Sequence, residues 1–277
     1  MRRASLPTAA FACAMLVALA SGCSVTPDPP PGNGPTDSVR MPPVGAAPDY
    51  QLGGAYEPAE QVGIVGRDRT AETASDAYSI CYINAFQTQP SELDQWPEDL
   101  LLRIDGDVVF DPEWPDEALL DTSTDERRER IARIVRPWIV GCAEAGFDAV
   151  EFDNLDSYTR SEGLLAGEDN LALAAALVDA AHRVGLAAGQ KNAAEDASVL
   201  RERAGFDFAL VEECAAYGEC DAFTAVYGEH VIDIEYTDWM PRSFAEMCAA
   251  PSAPASMVLR DRDLLPAGEP GHVFAVC

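Results

Sequence analysis

Two predicted β-strands each end in an acidic side chain, Asp153 and Glu212. In the first strand, two-residue alternation places Val150 and Phe152 on one face. Glu151 and Asp153 share the opposite face. Two carboxylates on either side of a cavity are the minimal apparatus for hydrolysing a glycosidic bond. One of them attacks the sugar or activates water, and the other, with a raised pKa, protonates the leaving oxygen.

These acids are positioned by a repeating order of helix, glycine and strand. Such alternation predicts a parallel sheet, and eight units predict an α/β fold of the (β/α)8 TIM-barrel class in a single domain. A doubly wound open sheet is the alternative, but no G-x-G-x-x-G motif follows the first strand. The predicted strands cover residues 50–52, 62–66, 78–83, 147–153, 186–192, 206–212, 231–235 and 257–261.

Helical spacing of apolar residues predicts three helices between the later strands. The first begins with a capping box formed by Ser123 and Glu126, is kinked by Pro137, and ends at Gly146. A long segment rich in Pro, Trp and Asp, residues 87–122, precedes it and is a candidate functional loop. The predicted helices cover residues 123–146, 170–184 and 195–203.

Polar side chains follow the other strands as well, and in a barrel all these strand ends face one rim. Aromatic residues near the same ends could stack on sugar rings or pack the rim. The polar pairs are Asp153–Asn154, Lys191–Asn192, Glu212–Glu213, Glu235–Tyr236 and Arg260–Asp261, and the aromatic residues are Tyr82, Tyr158, Tyr217, Tyr236 and Trp239.

Composition narrows the possible partners. The chain has 277 residues, 48% of them hydrophobic, which is enough for one large core. A formal charge of -28 disfavours nucleic acid and would attract a cationic ligand, although it can also serve solubility alone. Three histidines and no C-x-x-C pair argue against zinc, and no cofactor is predicted. We expect a monomer.

The amino-terminal residues are typical of an exported lipoprotein. Arg2 and Arg3 precede an apolar run, residues 9–20, that is short for a membrane span. Cys23 stands where a bacterial lipoprotein is lipidated, and an ordinary cleaved signal is the alternative. We therefore predict a signal peptide (1–22), a Pro/Gly-rich tether (23–47) and a barrel domain (48–277). The protein would be extracytoplasmic in the bacterial cell envelope, anchored to the membrane by lipid on Cys23.

Six cysteines remain after Cys13 and Cys23, an even number in an oxidising compartment. Cys214 and Cys220 flank a predicted tight turn and are the favoured disulfide. Other pairings considered are Cys248 with Cys277 and Cys81 with Cys142.

The chain from Tyr50 to Asp263 resembles the glycoside hydrolase family 114 barrels, the endo-α-1,4-polygalactosaminidase group. The matching motifs are YQL at 50–52, ICYI at 80–83, DAVEFDNLDSY at 148–158, GQKN at 189–192, FDFA at 206–209, EEC at 212–214, ECD at 219–221, IEY at 234–236 and RDRD at 260–263.

This resemblance implies that Asp153 is the nucleophile and Glu212 the acid/base of a retaining hydrolysis. It also implies the Cys214–Cys220 disulfide. The substrate would be a galactosamine-type polysaccharide, which is cationic when deacetylated. From the resemblance and the rim positions together, the expected substrate-binding residues are Tyr82, Asn154, Asp156, Tyr158, Lys191, Asn192, Glu235, Tyr236 and Asp261.

The chain departs from the family pattern at several positions. Asn84, Ala85 and Phe86 replace a Ser-x-Gly element, Phe152 replaces a proline, and Leu119 stands in a tryptophan position. Phe86 is expected at the rim, where its ring could narrow the cleft or shift the sugar preference. Two other functions therefore stay open: a carbohydrate-binding barrel without turnover, and a hydrolase using Mg²⁺ or Ca²⁺ on Asp153, Asp156 and Glu212.

Overall fold

The computed structural model describes residues 39–277, whose strands curl into a nearly closed barrel with helices outside. The predicted signal peptide, Cys23 and the first part of the predicted tether lie outside these residues. Eight strands run parallel in chain order, and a ninth pairs antiparallel with the eighth. The strands are β1 (Ala47–Tyr50), β2 (Val62–Asp68), β3 (Tyr78–Asn84), β4 (Ala149–Asp153), β5 (Ala187–Lys191), β6 (Phe208–Glu212), β7 (Val231–Tyr236), β8 (Ser256–Arg260) and β9 (Phe274–Val276).

Alternation along β4 sorts its side chains as the sequence predicts. Ala149 packs with the residues that fill the barrel, whereas Val150 and Phe152 pack in the layer between the strands and the helices. Large rings fill the barrel, and Gly189 makes room for one of them, because a Cβ there would lie 2.6 Å from Cζ of Phe208. The barrel is therefore a packed core that is open only at its rim.

The barrel closes between β8 and β1 through one buried arginine. No ladder joins these two strands. Arg260 is fully buried; its guanidinium pairs with Asp49 Oδ1 at 2.6 Å and also donates to the carbonyl of Tyr50. The same side chain donates to the carbonyls of Leu265 and Val273, each at 2.9 Å. Its planar group of donors thus ties both ends of the sheet to the segment leading into β9.

The three predicted helices are present with shifted ends, and three short helices after β6 were not predicted. Thr124, rather than Ser123, caps the first helix by accepting a hydrogen bond from the Arg127 amide, and the helix continues through Pro137. No described helix is long and apolar enough to cross a bilayer. The helices are α1 (Asp125–Ala145), α2 (Gly167–Arg183), α3 (Ala197–Val199, continued by a wide turn Leu200–Ala204), α4 (Cys214–Tyr217), α5 (Cys220–Tyr227) and α6 (Phe244–Cys248), and shorter 3-10 turns occupy Leu93–Gln95, Glu98–Leu100, Ser157–Arg160 and Ala194–Asp196.

The long segment before α1 is folded back onto the barrel. It contains a two-stranded hairpin (Arg103–Ile104 with Asp107–Val108) and isolated bridges such as Gln87 with Leu119. The expectation that Phe86 lies at the rim, where it could narrow the cleft or shift the sugar preference, was wrong. Its side chain is fully buried in the strand–helix layer, because the chain turns outward after β3.

Residues 39–46, the last part of the predicted tether, pack at the amino-terminal end of the strands. Val39 and Met41 are partly buried against the barrel filling. Arg40 pairs with Asp148 at 2.6 Å, and its carbonyl accepts a hydrogen bond from the Tyr78 hydroxyl at 2.7 Å. This end of the barrel is therefore covered, opposite the rim that carries the predicted site.

All three cysteine pairings considered from the sequence are present as disulfides. Cys81–Cys142 joins β3 to α1, Cys214–Cys220 brackets the turn after β6, and Cys248–Cys277 fastens the end of α6.

Two buried acids on β7 face outward, toward the turn that follows β6. Asp233 accepts from the Cys214 amide at 3.2 Å, and Glu235 accepts from the amides of Ala215 and Ala216 at 2.8 and 3.2 Å. Burial, followed by the neighbouring charge of Glu235, raises the pKa of Asp233 well above its usual range. We infer that the Asp233 carboxyl is held protonated beside the Glu235 carboxylate.

Replacing Asp233 by Asn should remove a pH-dependent loss of stability. A carboxyl with a raised pKa in the folded state contributes stability below its unfolded value near 4, and that contribution is lost as pH rises toward the folded value. An amide keeps the acceptor for Cys214 and does not ionise. We expect the melting temperature of Asp233→Asn to rise relative to that of the parent as the pH increases from 5 to 8.

Asp179→Asn is the control, because Asp179 is half exposed in a surface pair with Arg183. Parallel pH dependence in Asp233→Asn and the parent would contradict the protonated carboxyl.

Candidate active site

One buried ammonium stands at the centre of the predicted site. Lys191 ends β5 with its side chain 2% exposed. Its Nζ lies 3.1 Å from Glu151, 3.3 Å from Glu212 and 3.6 Å from Asp153. Burial alone would lower the pKa of Lys191, but the three carboxylates outweigh burial and raise it well above the usual range. The ammonium therefore stays charged and holds three acids together.

Asp153 reaches the rim at the carboxyl end of β4. Its side chain is 18% exposed, and its Oδ2 accepts a hydrogen bond from the Tyr82 hydroxyl at 2.8 Å. The following amide, of Asn154, donates to Oδ1 at 2.7 Å. These two donors fix the carboxylate while leaving part of it open to a ligand.

Glu212 occupies the corresponding place at the end of β6, with its side chain 26% exposed. The Tyr236 hydroxyl donates to Oε1. Asn192 makes two hydrogen bonds with Glu212: it donates to Oε2 at 3.2 Å and accepts from the Glu212 amide at 2.8 Å. Asn192 and Tyr236, both expected as substrate residues, thus act directly on Glu212.

The environment of Glu212 favours its ionised form. Burial would raise the pKa of this carboxyl, but the charge of Lys191 and the hydrogen bonds from Tyr236 and Asn192 outweigh burial and lower it. Glu212 is therefore a carboxylate in the free protein at neutral pH.

Asp153 and Glu212 are close enough to act on one sugar. Lys191 Nζ lies 3.6 Å from an Asp153 oxygen and 3.3 Å from a Glu212 oxygen. The distance between these two carboxylate oxygens therefore cannot exceed the sum of their distances to Nζ. That limit falls below most of the range of about 6.5–9.5 Å found in inverting glycosidases.

The residue after each of these three strand ends has a left-handed backbone. The φ angles are 62° at Asn154, 44° at Asn192 and 61° at Glu213. Asparagine tolerates this region better than most residues, whereas a glutamate there is uncommon. The sharp turn stops each strand as its last side chain reaches the rim, and such conformations cluster at functional sites.

Glu151 and Tyr50 lie beneath the pair and were missed as site residues. Glu151 is fully buried, accepts from the Tyr50 hydroxyl at 2.9 Å, and has a second oxygen without a hydrogen-bond partner. Burial is the main cause that raises its pKa to about 7. Strand alternation was the available signal, because Glu151 shares the inward face with Asp153.

Glu117 also lies beside the site and was missed, because it belongs to the long segment before α1. Asn84, the register partner of Asp153, donates to Glu117 at 2.9 Å and accepts from the Asn154 side chain at 3.0 Å. Burial is the main cause that raises the pKa of Glu117 to about 7, helped by the charge of Asp153. No sequence signal places this segment over β3.

Asp156 and Tyr158 are placed to one side of the catalytic carboxylates. Asp156 pairs with Arg160 at 3.0 Å, and Arg160 also pairs with buried Asp111 at 2.6 Å and donates to Asn154. The Tyr158 hydroxyl donates to Asp196 at 2.8 Å. Both residues can shape the rim beyond Asn154, but neither contacts Asp153 or Glu212 by a hydrogen bond.

Two expected substrate residues are not brought to the site. Glu235 is fully buried and turned outward, because Tyr236, its neighbour on the strand, faces inward. Asp261 accepts from the amides of Leu265 and Val273 at 2.9 and 3.0 Å, so its carboxylate is used to fold the segment before β9.

The expected ligands of a divalent metal are likewise not assembled. An ammonium already lies between Asp153 and Glu212, and Asp156 is paired with Arg160. Within residues 39–277, the one close group of possible ligands is Cys214, Cys220 and Asp233, whose two sulfurs form a disulfide. The geometry therefore favours proton and nucleophile chemistry by two carboxylates over metal ligation.

Two solved structures share the fold of this chain over most of its length. Aspergillus fumigatus Ega3, in complex with galactosamine, superposes with a TM-score of 0.70 at 21% identity, over 88% of this chain and 100% of that chain. The glycoside hydrolase domain of PelA from Pseudomonas aeruginosa gives a TM-score of 0.53 at 13% identity, over 81% and 98%. At these identities the likeness establishes the shared barrel fold.

The chain matches none of the curated proteins with which it was compared. Residues 29–277 match the model of glycoside-hydrolase family GH114. This range includes every candidate catalytic and substrate-binding residue. The protein is therefore a glycoside hydrolase of family GH114.

Proposed function

We propose that the protein cleaves an α-1,4-linked galactosamine-type polysaccharide by a retaining mechanism. The observation that carries this proposal is the pair Asp153 and Glu212, held from below by one ammonium and open to the rim. Lys191 is almost completely buried, so we assign it to positioning the two acids rather than to contacting sugar. Substrate then lies across the rim, above the lysine.

In the first step, an Asp153 oxygen attacks the anomeric carbon and the bond to the leaving oxygen breaks. Glu212, which carries a proton only in the fraction of enzyme that is active at acidic pH, gives that proton to the leaving oxygen. In the second step, Glu212 removes a proton from water, the water oxygen attacks the same carbon, and the ester bond to Asp153 breaks. Two displacements at one carbon retain the α configuration.

Charge supports an amino-sugar polymer as substrate. The chain carries a formal charge of -28, and the side chains of Asp153 and Glu212 are partly open at the rim. A deacetylated galactosamine polymer is cationic and would be drawn to this surface. The galactosamine bound by the similarly folded Ega3 agrees with this substrate class.

We also propose that the protein is an extracytoplasmic lipoprotein of a bacterial envelope, anchored through Cys23, and a monomer. Arg2, Arg3 and the apolar run 9–20 support export. Three disulfides support an oxidising compartment.

Asp153→Asn and Glu212→Gln should each abolish most hydrolysis without unfolding the barrel, since both substitutions keep shape. We expect kcat/KM for release of reducing ends from α-1,4-galactosamine polymer to fall by about 100- to 10,000-fold in Glu212→Gln, and by at least as much in Asp153→Asn. Proton NMR of the first product formed by the parent should show the α anomer. Full activity in both variants, at unchanged melting temperature, would eliminate the assignment.

Tyr236→Phe should shift the pH profile, because it removes a donor that lowers the pKa of Glu212. The general acid must carry a proton, so a low pKa of Glu212 places the alkaline limb of kcat/KM at acidic pH. Losing the hydrogen bond raises that pKa, and we expect the alkaline limb to move upward by about one pH unit.

Tyr82→Phe is the matched control, since Tyr82 donates to Asp153 and not to Glu212. It should leave the alkaline limb in place. An alkaline limb that moves equally in both variants would show that Tyr236 does not tune the acid.

Cys23→Ala should release the protein from the membrane fraction, because the substitution removes the thiol that would carry lipid. Metabolic labelling with a radioactive fatty acid should mark the parent and not the variant. Labelling that persists in Cys23→Ala would refute the anchor.

A further inference from the structure

Two exposed aromatic rings lie together on the rim near Glu212. Tyr217 ends α4, directly after β6, and Trp239 follows the end of β7. Their exposed fractions are 64% and 50%, and their rings stack with centroids 6.2 Å apart and planes 24° from parallel. Large aromatic side chains exposed side by side indicate a surface that binds something.

The segments that carry the two rings are fastened to each other. Arg262 donates to Glu213 at 2.7 Å and to Asp238 at 2.9 Å, which bridges the residues beside α4 and Trp239. Arg242 donates to the carbonyl of Ala215 at 2.6 Å. The disulfide Cys214–Cys220 closes the turn beneath Tyr217. The rings are thus held on a preorganised support, which lowers the cost of binding.

The same support is continuous with the catalytic acid. The Arg262 guanidinium lies 4.0 Å from the centroid of the Tyr236 ring, whose hydroxyl donates to Glu212. The aromatic pair is therefore on the Glu212 side of the site. In the proposed reaction Glu212 protonates the leaving oxygen, so this side receives the part of the polymer that leaves first.

We propose that Tyr217 and Trp239 form a sugar-stacking subsite that binds one ring of the leaving part of the polysaccharide. A pyranose presents an apolar face of C–H bonds to an aromatic surface, and an amino sugar adds an ammonium that is attracted to the ring face. This inference rests on the proposed function. It names two residues that would bind a long substrate at a position some distance from the glycosidic bond that is cut.

Trp239→Ala and Tyr217→Ala should weaken action on long substrate more than on short substrate. We expect each to lower kcat/KM on α-1,4-galactosamine polymer by about tenfold, mainly through KM, with a smaller loss on the shortest oligomer that the parent cleaves. Trp239→Phe and Tyr217→Phe keep a ring and should recover most of the activity. Val140→Ala, an exposed apolar position on α1, is the control and should behave as the parent.

A binding measurement separates failure of this subsite from failure of the proposed function. In the Asp153→Asn background, titration with the polymer should change tryptophan fluorescence, and Trp239→Phe should remove most of that change. Equal losses on polymer and short oligomer would overturn the subsite while leaving the hydrolase intact. Absence of any fluorescence change on titration would overturn it as well, whether or not the parent cleaves the polymer.

Discussion

The catalytic end of this barrel depends on one buried ammonium shared by three acids. Removing Lys191 would leave Glu151, Asp153 and Glu212 converging on a space from which water is largely excluded, and like charges at that distance cannot all stay ionised. With the ammonium present, Glu212 is ionised, whereas Glu151, buried beneath the pair, has a pKa near 7. The lysine thus sets both the positions and the charges of the groups that face a substrate.

The eight strands could be predicted to within about three residues at each end, because most are short apolar runs and a glycine lies shortly before β4, β5, β6 and β7. Eight helix-and-strand units then left few folds other than the barrel. Convergence of Asp153, Lys191 and Glu212 followed from that fold, since the carboxyl ends of parallel strands meet at one rim. Of the three disulfides, only Cys214–Cys220 had an argument from sequence, because the two cysteines flank one short turn.

What could not be predicted falls into two physical classes. The first is the direction of a side chain at a strand end. Ile234 and Tyr236 face into the barrel, so Glu235, which lies between them on the strand, faces outward. Strand alternation counted from Ile234 would have excluded Glu235 from the substrate-binding residues. The second is the placement of irregular segments. Glu117 and Phe86 belong to such a segment, where only tertiary packing decides which side chain reaches the rim and which is buried.

Closure by Arg260 has a consequence for how the molecule is made. Its partner Asp49 is 211 residues away along the chain, so the first strand cannot complete the barrel until the eighth has been synthesised. Until then Asp49 and the Tyr50 carbonyl lack their guanidinium partner and the β1 end of the sheet stays uncovered, which invites association with other chains. Folding should therefore follow synthesis rather than accompany it, and its rate should be limited by this long-range contact.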